Sequence, residues 1–174
     1  VGQVLIIIFA VLYGIISWMV AYYGEMITYV GMTAPMAVYA LIVWLKNPFA
    51  GKRAEVKVNR LRAREYIIMA LIAAAVTVAF YFILEAFHTA NLIPSTISVT
   101  TSFVAVYLTA RRSPFYALAY AANDIVLIVL WSMAAAADPS CLSVIICFCV
   151  FLVNDLYGFV NWMRMQRRQA RAEA

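Results

Sequence analysis

The stretch YIIMALIAAAVTVAFYFIL, residues 66–84, contains no charged side chain and decides the class of the protein. A helix needs about 20 consecutive apolar residues to cross the hydrocarbon core of a bilayer. A helix that keeps one face in water would carry charged residues at helical spacing, and this run has none. We therefore predict that it crosses a membrane as a helix.

The composition of the whole chain agrees with that prediction. Of the 174 residues, 67% are hydrophobic and 12% are charged, whereas soluble domains average about 45–50% apolar and about 25% charged residues. A soluble domain of this size cannot bury two thirds of its side chains. A soluble domain and a disordered chain are both excluded, and the long continuous runs favour helices over the alternating strands of a barrel.

Six apolar segments have membrane-crossing length, so the predicted fold class is an all-α integral membrane bundle. The fourth is rich in Ser and Thr, whose hydroxyls are tolerated in a membrane helix that faces other helices or a cavity. In the second, Pro35 removes a backbone hydrogen bond and should bend the helix. The segments are residues 3–23, 26–46, 66–87, 92–110, 114–135 and 140–163.

The basic residues set the predicted orientation. All 13 Lys and Arg residues fall within 46–64, 111–112 and 164–171. Six alternating spans bring these three groups to one side of the membrane, and the positive-inside rule places that side, with the C-terminus, in the cytoplasm. The net charge of +5 is then explained by topology and by contact with the lipid bilayer, and we expect no nucleic-acid partner.

The sequence offers little sign of a metal or cofactor site. Cys141, Cys147 and Cys149 lie in or beside one apolar run without a His/Cys cluster, and we interpret them as small apolar residues. We expect no metal and no cofactor. Glu25 is predicted to lie in a short external turn and to have no role in a site.

Two Asn-Asp pairs interrupt the last two spans, Asn123-Asp124 and Asn154-Asp155. An ionisable residue near the centre of a bilayer costs about 2.5–3.5 kcal/mol on insertion scales. We expect both pairs to face the bundle interior or a wet cavity, as part of a substrate or ion pathway. The alternative is interhelical hydrogen bonding that joins two helices.

Each pair is followed by a tryptophan in the pattern N-D-x6-W, which places Asp and Trp on one helix face, about 10 Å apart along the axis. Each Trp could instead anchor its helix at the membrane interface. A tyrosine lies within a turn of each pair. Carboxylates, amides and ring faces together suit a flat, polar or cationic aromatic ligand. The candidate substrate-binding residues are Tyr120, Asn123, Asp124, Trp131, Asn154, Asp155, Tyr157 and Trp162.

An internal repeat is also indicated. Tyr39, Trp44 and Lys46 match Tyr157, Trp162 and Arg164 in the pattern Y-x4-W-x-[KR], at an offset of 118 residues. Parallel three-helix repeats joined by a connector helix would explain the match, with the first helix of the front repeat missing here. The predicted units are a first repeat (1–46), a cytoplasmic linker (47–65), a connector helix (66–90), a second repeat (91–164) and a cytoplasmic tail (165–174).

The chain resembles the PnuC family of bacterial vitamin transporters over nearly its whole length, and five stretches carry the resemblance. The resemblance implies facilitated uptake of nicotinamide riboside across the bacterial inner membrane by alternating access, with trapping by cytoplasmic phosphorylation. It also implies a three-plus-one-plus-three helix fold related to the SWEET transporters, and a homotrimer. The stretches are VGQVLIIIFAVLYGIISWM (1–19), YYGEMITYVGMTAPM (22–36), WLKNP (44–48), RRSPFYALAYAANDIVLIVLW (111–131) and CFCVFLVNDLYGFVNWMRMQRRQ (147–169).

Three alternatives stay open. Relatives within the same family are thought to carry thiamine or riboflavin, so the substrate is not fixed by the resemblance. Asp124 and Asp155 could form a carboxylate dyad of an intramembrane enzyme, because two aspartates on adjacent helices can share a proton. A helical scaffold or receptor would need neither carboxylate. We expect a transporter and not an enzyme.

Overall fold

The computed structural model describes residues 2–50 and 52–173, and six helices long enough to cross a membrane are found there. They match the predicted spans, and the all-α membrane fold is confirmed. The last helix runs well past the predicted end at 163. The helices are α1 (Gly2–Met19), α2 (Tyr23–Lys46), α3 (Ala63–Ala86), α4 (Leu92–Ala110), α5 (Phe115–Ala135) and α6 (Pro139–Ala172).

Helix α4 lies at the centre of the bundle and α3 lies at its edge. Half of the most apolar part of α4 is buried, compared with 11% of α3. The Ser and Thr side chains of α4 therefore face other helices, as predicted. At the contact with α3, the hydroxyls of Thr77 and Thr100 are 2.6 Å apart. Buried hydroxyl residues of α4 are Ser95, Ser98, Ser102 and Thr109.

Helix α2 contains a wide π-helical turn, Ile27–Thr33, which ends two residues before Pro35. Proline has no amide hydrogen to donate to the preceding turn, and a π-helical turn is one way to accommodate that loss. The wider turn brings Tyr29 and Thr33 to the same internal cavity. Pro35 therefore marks a local change in helix geometry that shapes the interior of the bundle.

The prediction for Glu25 was wrong. Helix α2 already begins at Tyr23, after a tight turn in which Ala21 has a φ of 59°. Glu25 consequently lies inside the bundle with 0% of its surface exposed. The Ser98 hydroxyl donates a hydrogen bond to Glu25 Oε2 at 3.1 Å, so this residue joins α2 to α4.

The polar linker after α2 contains a short antiparallel hairpin of β1 (Pro48–Phe49) and β2 (Lys52–Val56). The end of α6 packs on it through the buried side chain of Gln169. Gln169 Oε1 accepts a hydrogen bond from the Val58 amide at 2.9 Å, and Nε2 donates to Glu55 Oε1 at 2.9 Å and to the Val56 carbonyl at 3.0 Å. We call this contact the clasp.

The clasp region also reaches the loop between α4 and α5. The Asn59 amide donates to the Arg112 carbonyl at 3.1 Å, and Arg112 Nη1 donates to the Lys57 carbonyl at 3.3 Å. Arg111 forms an ion pair with Glu65 at the start of α3. The chain segments that carry the Lys and Arg residues thus meet at one end of the bundle, which we call the basic face.

Gln169→Ala is expected to loosen the clasp and lower the thermal unfolding midpoint by a few degrees. A buried hydrogen-bonded amide contributes about 1 kcal/mol net, which is worth about 2–4 °C in a chain of this size. The measurement is thermal unfolding of the purified protein in detergent. Gln166→Ala is the matched control, because Gln166 lies on the same helix and makes none of these bonds. Equal midpoints for the two variants would contradict the role of the clasp.

Candidate functional site

A cavity of about 470 Å³ lies among helices α1, α2, α5 and α6. Its wall is aromatic and apolar over most of its area, with a small number of polar groups that converge on it. Such a combination is typical of small-molecule sites. Polar side chains in the wall include Tyr29, Thr33, Tyr120, Asp124, Asn154 and Asp155.

Asp124 on α5 and Asp155 on α6 face each other in the cavity, close enough for their charges to interact. Asp124 Oδ2 is buried and accepts no hydrogen bond from the residues that the structure describes. A buried polar atom of this kind is costly unless water or a ligand supplies a partner. The cavity therefore presents carboxyl oxygens as hydrogen-bonding groups to whatever it binds.

Five of the eight candidate residues identified from the sequence line this cavity. The structure places Tyr157 outside it, on the outer surface of α6 with 69% of the side chain exposed. Asn123 and Trp131 are buried beside the cavity and do not line it. The five that line it are Tyr120, Asp124, Asn154, Asp155 and Trp162.

Asn123 joins three helices through its side-chain amide. Its Oδ1 accepts hydrogen bonds from Thr101 Oγ1 at 2.7 Å and from Ser102 Oγ at 3.0 Å, both on α4. Its Nδ2 donates to the Tyr29 hydroxyl on α2 at 3.1 Å. Asn123 thus makes interhelical hydrogen bonds, which was the alternative interpretation of the Asn-Asp pairs. It also holds Tyr29 in the cavity wall.

Trp131 packs in the core next to the cavity. Its indole Nε1 donates a hydrogen bond to the Tyr13 hydroxyl at 2.5 Å, and the two ring centroids are 5.7 Å apart. The ring of Tyr22 meets Trp131 edge-on at 5.3 Å. The two N-D-x6-W motifs therefore have different surroundings, because only the second one presents its Trp to the cavity.

Three aromatic rings cluster at the end of the cavity nearest the basic face. Trp44 and Trp162 have centroids 5.2 Å apart, and Tyr116 lies 6.2 Å from Trp44 and 4.9 Å from Trp162. Trp44 Nε1 donates to the Thr109 carbonyl at 2.9 Å, which fixes its ring against α4. Ring faces arranged in this way attract cations, including cationic aromatic rings.

The sequence interpretation missed the cavity residues contributed by the front helices, including Phe9, Tyr29, Thr33 and Trp44. An intramembrane charge is a signal that stands out in a sequence, whereas aromatic and hydroxyl residues are common in membrane helices. Trp44 alone had a usable signal, because it matches Trp162 in the repeat pattern. The front half thus supplies ring faces and hydroxyls, and the back half supplies the carboxyl groups.

Known proteins with similar sequence and fold are transporters. The family model described as "Nicotinamide mononucleotide transporter" matches residues 1–164. The chain is 27% identical over 166 residues to the nicotinamide riboside transporter PnuC of Neisseria mucosa, covering 91% of this chain and 62% of that protein. Its fold is similar to the crystal structure of the vitamin B3 transporter PnuC, with a TM-score of 0.79 and 22% identity over 96% of this chain and 73% of that one. The chain spans less than two thirds of the length of the Neisseria relative.

Proposed function

The chain belongs to the nicotinamide mononucleotide transporter family, and from this premise we propose that it carries nicotinamide riboside across the bacterial inner membrane. The observation that carries the proposal is the cavity, in which two carboxyl groups lie beside a cluster of aromatic rings inside a membrane bundle. Nicotinamide riboside combines a flat cationic ring with a carboxamide and vicinal ribose hydroxyls. Every one of these groups has a chemical counterpart in the cavity wall.

The aromatic part of the cavity wall and the polar part would bind different groups of the substrate. The pyridinium ring stacks on the faces of Trp44, Tyr116 and Trp162, where a positive charge is favoured. Asp124 and Asp155 accept hydrogen bonds from the ribose or the carboxamide and balance the charge of the ring. Asn154 and Tyr120 belong to the same binding surface. In this proposal Asn123 and Trp131 support the site from behind, and Tyr157 makes no contact with the substrate.

The proposed orientation places the basic face in the cytoplasm, in accordance with the positive-inside rule. Transport then occurs by facilitated diffusion with alternating access, and cytoplasmic phosphorylation traps the riboside. The proposed assembly is a homotrimer, and two parallel repeats joined by α3 form each subunit. These proposals rest on the resemblance of the chain to its family and on the distribution of its basic residues.

A thiamine transporter is the main alternative, because thiamine also carries a flat cationic ring that suits carboxyl groups and ring faces. Riboflavin has a neutral ring system and gains less from the two aspartates. An intramembrane enzyme using Asp124 and Asp155 is an alternative outside the transporters. It would use the same cavity as its active site. A thiamine or riboflavin transporter would bind a different ligand, whereas an enzyme would release a chemically altered product.

The test is binding and proteoliposome uptake with nicotinamide riboside, nicotinamide, thiamine and riboflavin. We expect nicotinamide riboside to bind, to be taken up unchanged in mass, and to be displaced poorly by neutral nicotinamide. Binding of another vitamin without competition from the riboside would overturn the substrate assignment. Release of a hydrolysed product in the presence of the purified protein would favour the enzyme instead.

A further inference from the structure

Two aromatic pairs join the front helices to the back helices. Tyr13 on α1 meets Trp131 on α5 with ring centroids 5.7 Å apart, and Trp44 on α2 meets Trp162 on α6 at 5.2 Å. The first pair is also joined by the hydrogen bond from Trp131 Nε1 to the Tyr13 hydroxyl. Each pair therefore spans the boundary between the two proposed repeats.

The members of both pairs are separated by the same 118 residues. This single offset, without a gap, relates α1 to 120–137 and α2 to 141–164, which are almost entirely within α5 and α6. Equivalent positions that touch each other across a two-fold relation lie on the axis of that relation. Tyr13–Trp131 and Trp44–Trp162 thus mark two points on a pseudo-two-fold axis through the bundle.

The two points lie far apart along the bundle, and Trp44 and Trp162 line the cavity whereas Tyr13 and Trp131 do not. Tyr116 contacts the Trp44–Trp162 pair, and between Tyr116 and Trp131 helix α5 rises about 22 Å. Asp124 lies about halfway along this stretch of the helix. Along the axis, the Trp44–Trp162 pair therefore comes first, the level of Asp124 second and the Tyr13–Trp131 pair third.

We propose that the two pairs are the gates of the transport pathway, and that the structure has the Tyr13–Trp131 gate shut. This inference rests on the proposed function. Tyr13 and Trp131 are 1% and 0% exposed and are packed against Leu127, Leu130 and Phe148 of the same core. Trp44 and Trp162 instead line the cavity. Parallel repeats that rock about an axis along the membrane normal can open one end while they close the other.

Few polar bonds hold the shut gate. Besides the Tyr13–Trp131 bond, the Tyr22 hydroxyl donates to the Leu130 carbonyl at 3.3 Å and accepts from Asn91 Nδ2 at 3.0 Å. The buried Glu25 also interacts with Tyr13, and the remaining contacts are between aromatic rings and apolar side chains such as Leu127 and Leu130. A gate of this kind can open at modest cost in free energy.

Cys141 provides a native reporter for the gate. It is 4% exposed and belongs to the same core cluster as Tyr13 and Trp131. In the full-length protein carrying Cys147→Ser and Cys149→Ser, a membrane-impermeant maleimide should label Cys141 slowly in proteoliposomes. Tyr13→Phe removes the acceptor of the indole N–H, and a bond worth about 1 kcal/mol corresponds to about fivefold faster labelling.

Trp18→Phe is the control, since Trp18 is on the same helix with 60% of its side chain exposed, and we expect it to leave labelling unchanged. If Tyr13→Phe does not fold, Trp131→Phe removes the donor from the same bond and takes its place. Wild-type labelling in a folded variant of either residue would overturn the gate. Labelling needs no substrate, so this outcome is distinct from failure to transport nicotinamide riboside.

Discussion

Asp155→Asn is expected to lower the uptake of nicotinamide riboside about a hundredfold and to leave the fold intact. The substitution keeps the shape of the side chain, removes its negative charge and replaces one acceptor oxygen with an NH2 donor. Asp155 lines the cavity beside Asp124, where a cationic ligand would be held by charge-assisted hydrogen bonds. Such a bond contributes up to about 3 kcal/mol, which corresponds to about a hundredfold in affinity.

The measurement is initial uptake into proteoliposomes, with binding affinity in detergent determined in parallel. Asp138→Asn is the matched control, because Asp138 lies in the loop before α6 and outside the cavity. Its carboxylate accepts a hydrogen bond from the Ser140 amide at 2.9 Å, which lowers the pKa of Asp138, and asparagine can make the same bond. Uptake by Asp155→Asn within threefold of the wild type would refute a role for this carboxylate in binding the charge.

The membrane spans were predictable because a single physical requirement defines them. A bilayer core demands a minimum length of apolar helix, and residues 66–84 meet it without reference to any neighbour. The C-terminal part of α6 was not predictable in the same way. It continues to Ala172, and there Gln169 bonds to Glu55 and Val58, which are more than a hundred residues away in the sequence.

The surroundings of a residue were harder to predict than its position in a span. Spacing correctly grouped Asp155 with Trp162 on one face, and both line the cavity. It could not tell that the face of α6 carrying Tyr157 is not covered by any helix within residues 2–50 and 52–173, so that residue is exposed. Glu25 failed for a related reason, because the length of the turn before α2 decides whether it lies in that turn or inside the bundle.

The two N-D-x6-W motifs have the same spacing but different surroundings, and we therefore predict different effects of substituting their asparagines. Asn123→Ala is expected to lower stability by about 2 kcal/mol, since it removes three interhelical hydrogen bonds that average about 0.6 kcal/mol each in membrane proteins. Asn154→Ala is expected to leave stability near that of the wild type and to weaken substrate binding, because Asn154 lines the cavity.

Thermal unfolding and binding of nicotinamide riboside, both measured on the two variants, separate these roles. A loss of about 2 kcal/mol corresponds to a midpoint about 4–8 °C lower for Asn123→Ala. Its affinity for the riboside should fall less than that of Asn154→Ala, since the Asn123 amide reaches the ligand only through Tyr29. Equal losses of stability in the two variants would contradict this prediction. They would mean that Asn123 and Asn154 have the same structural role, as their identical spacing from a Trp suggests.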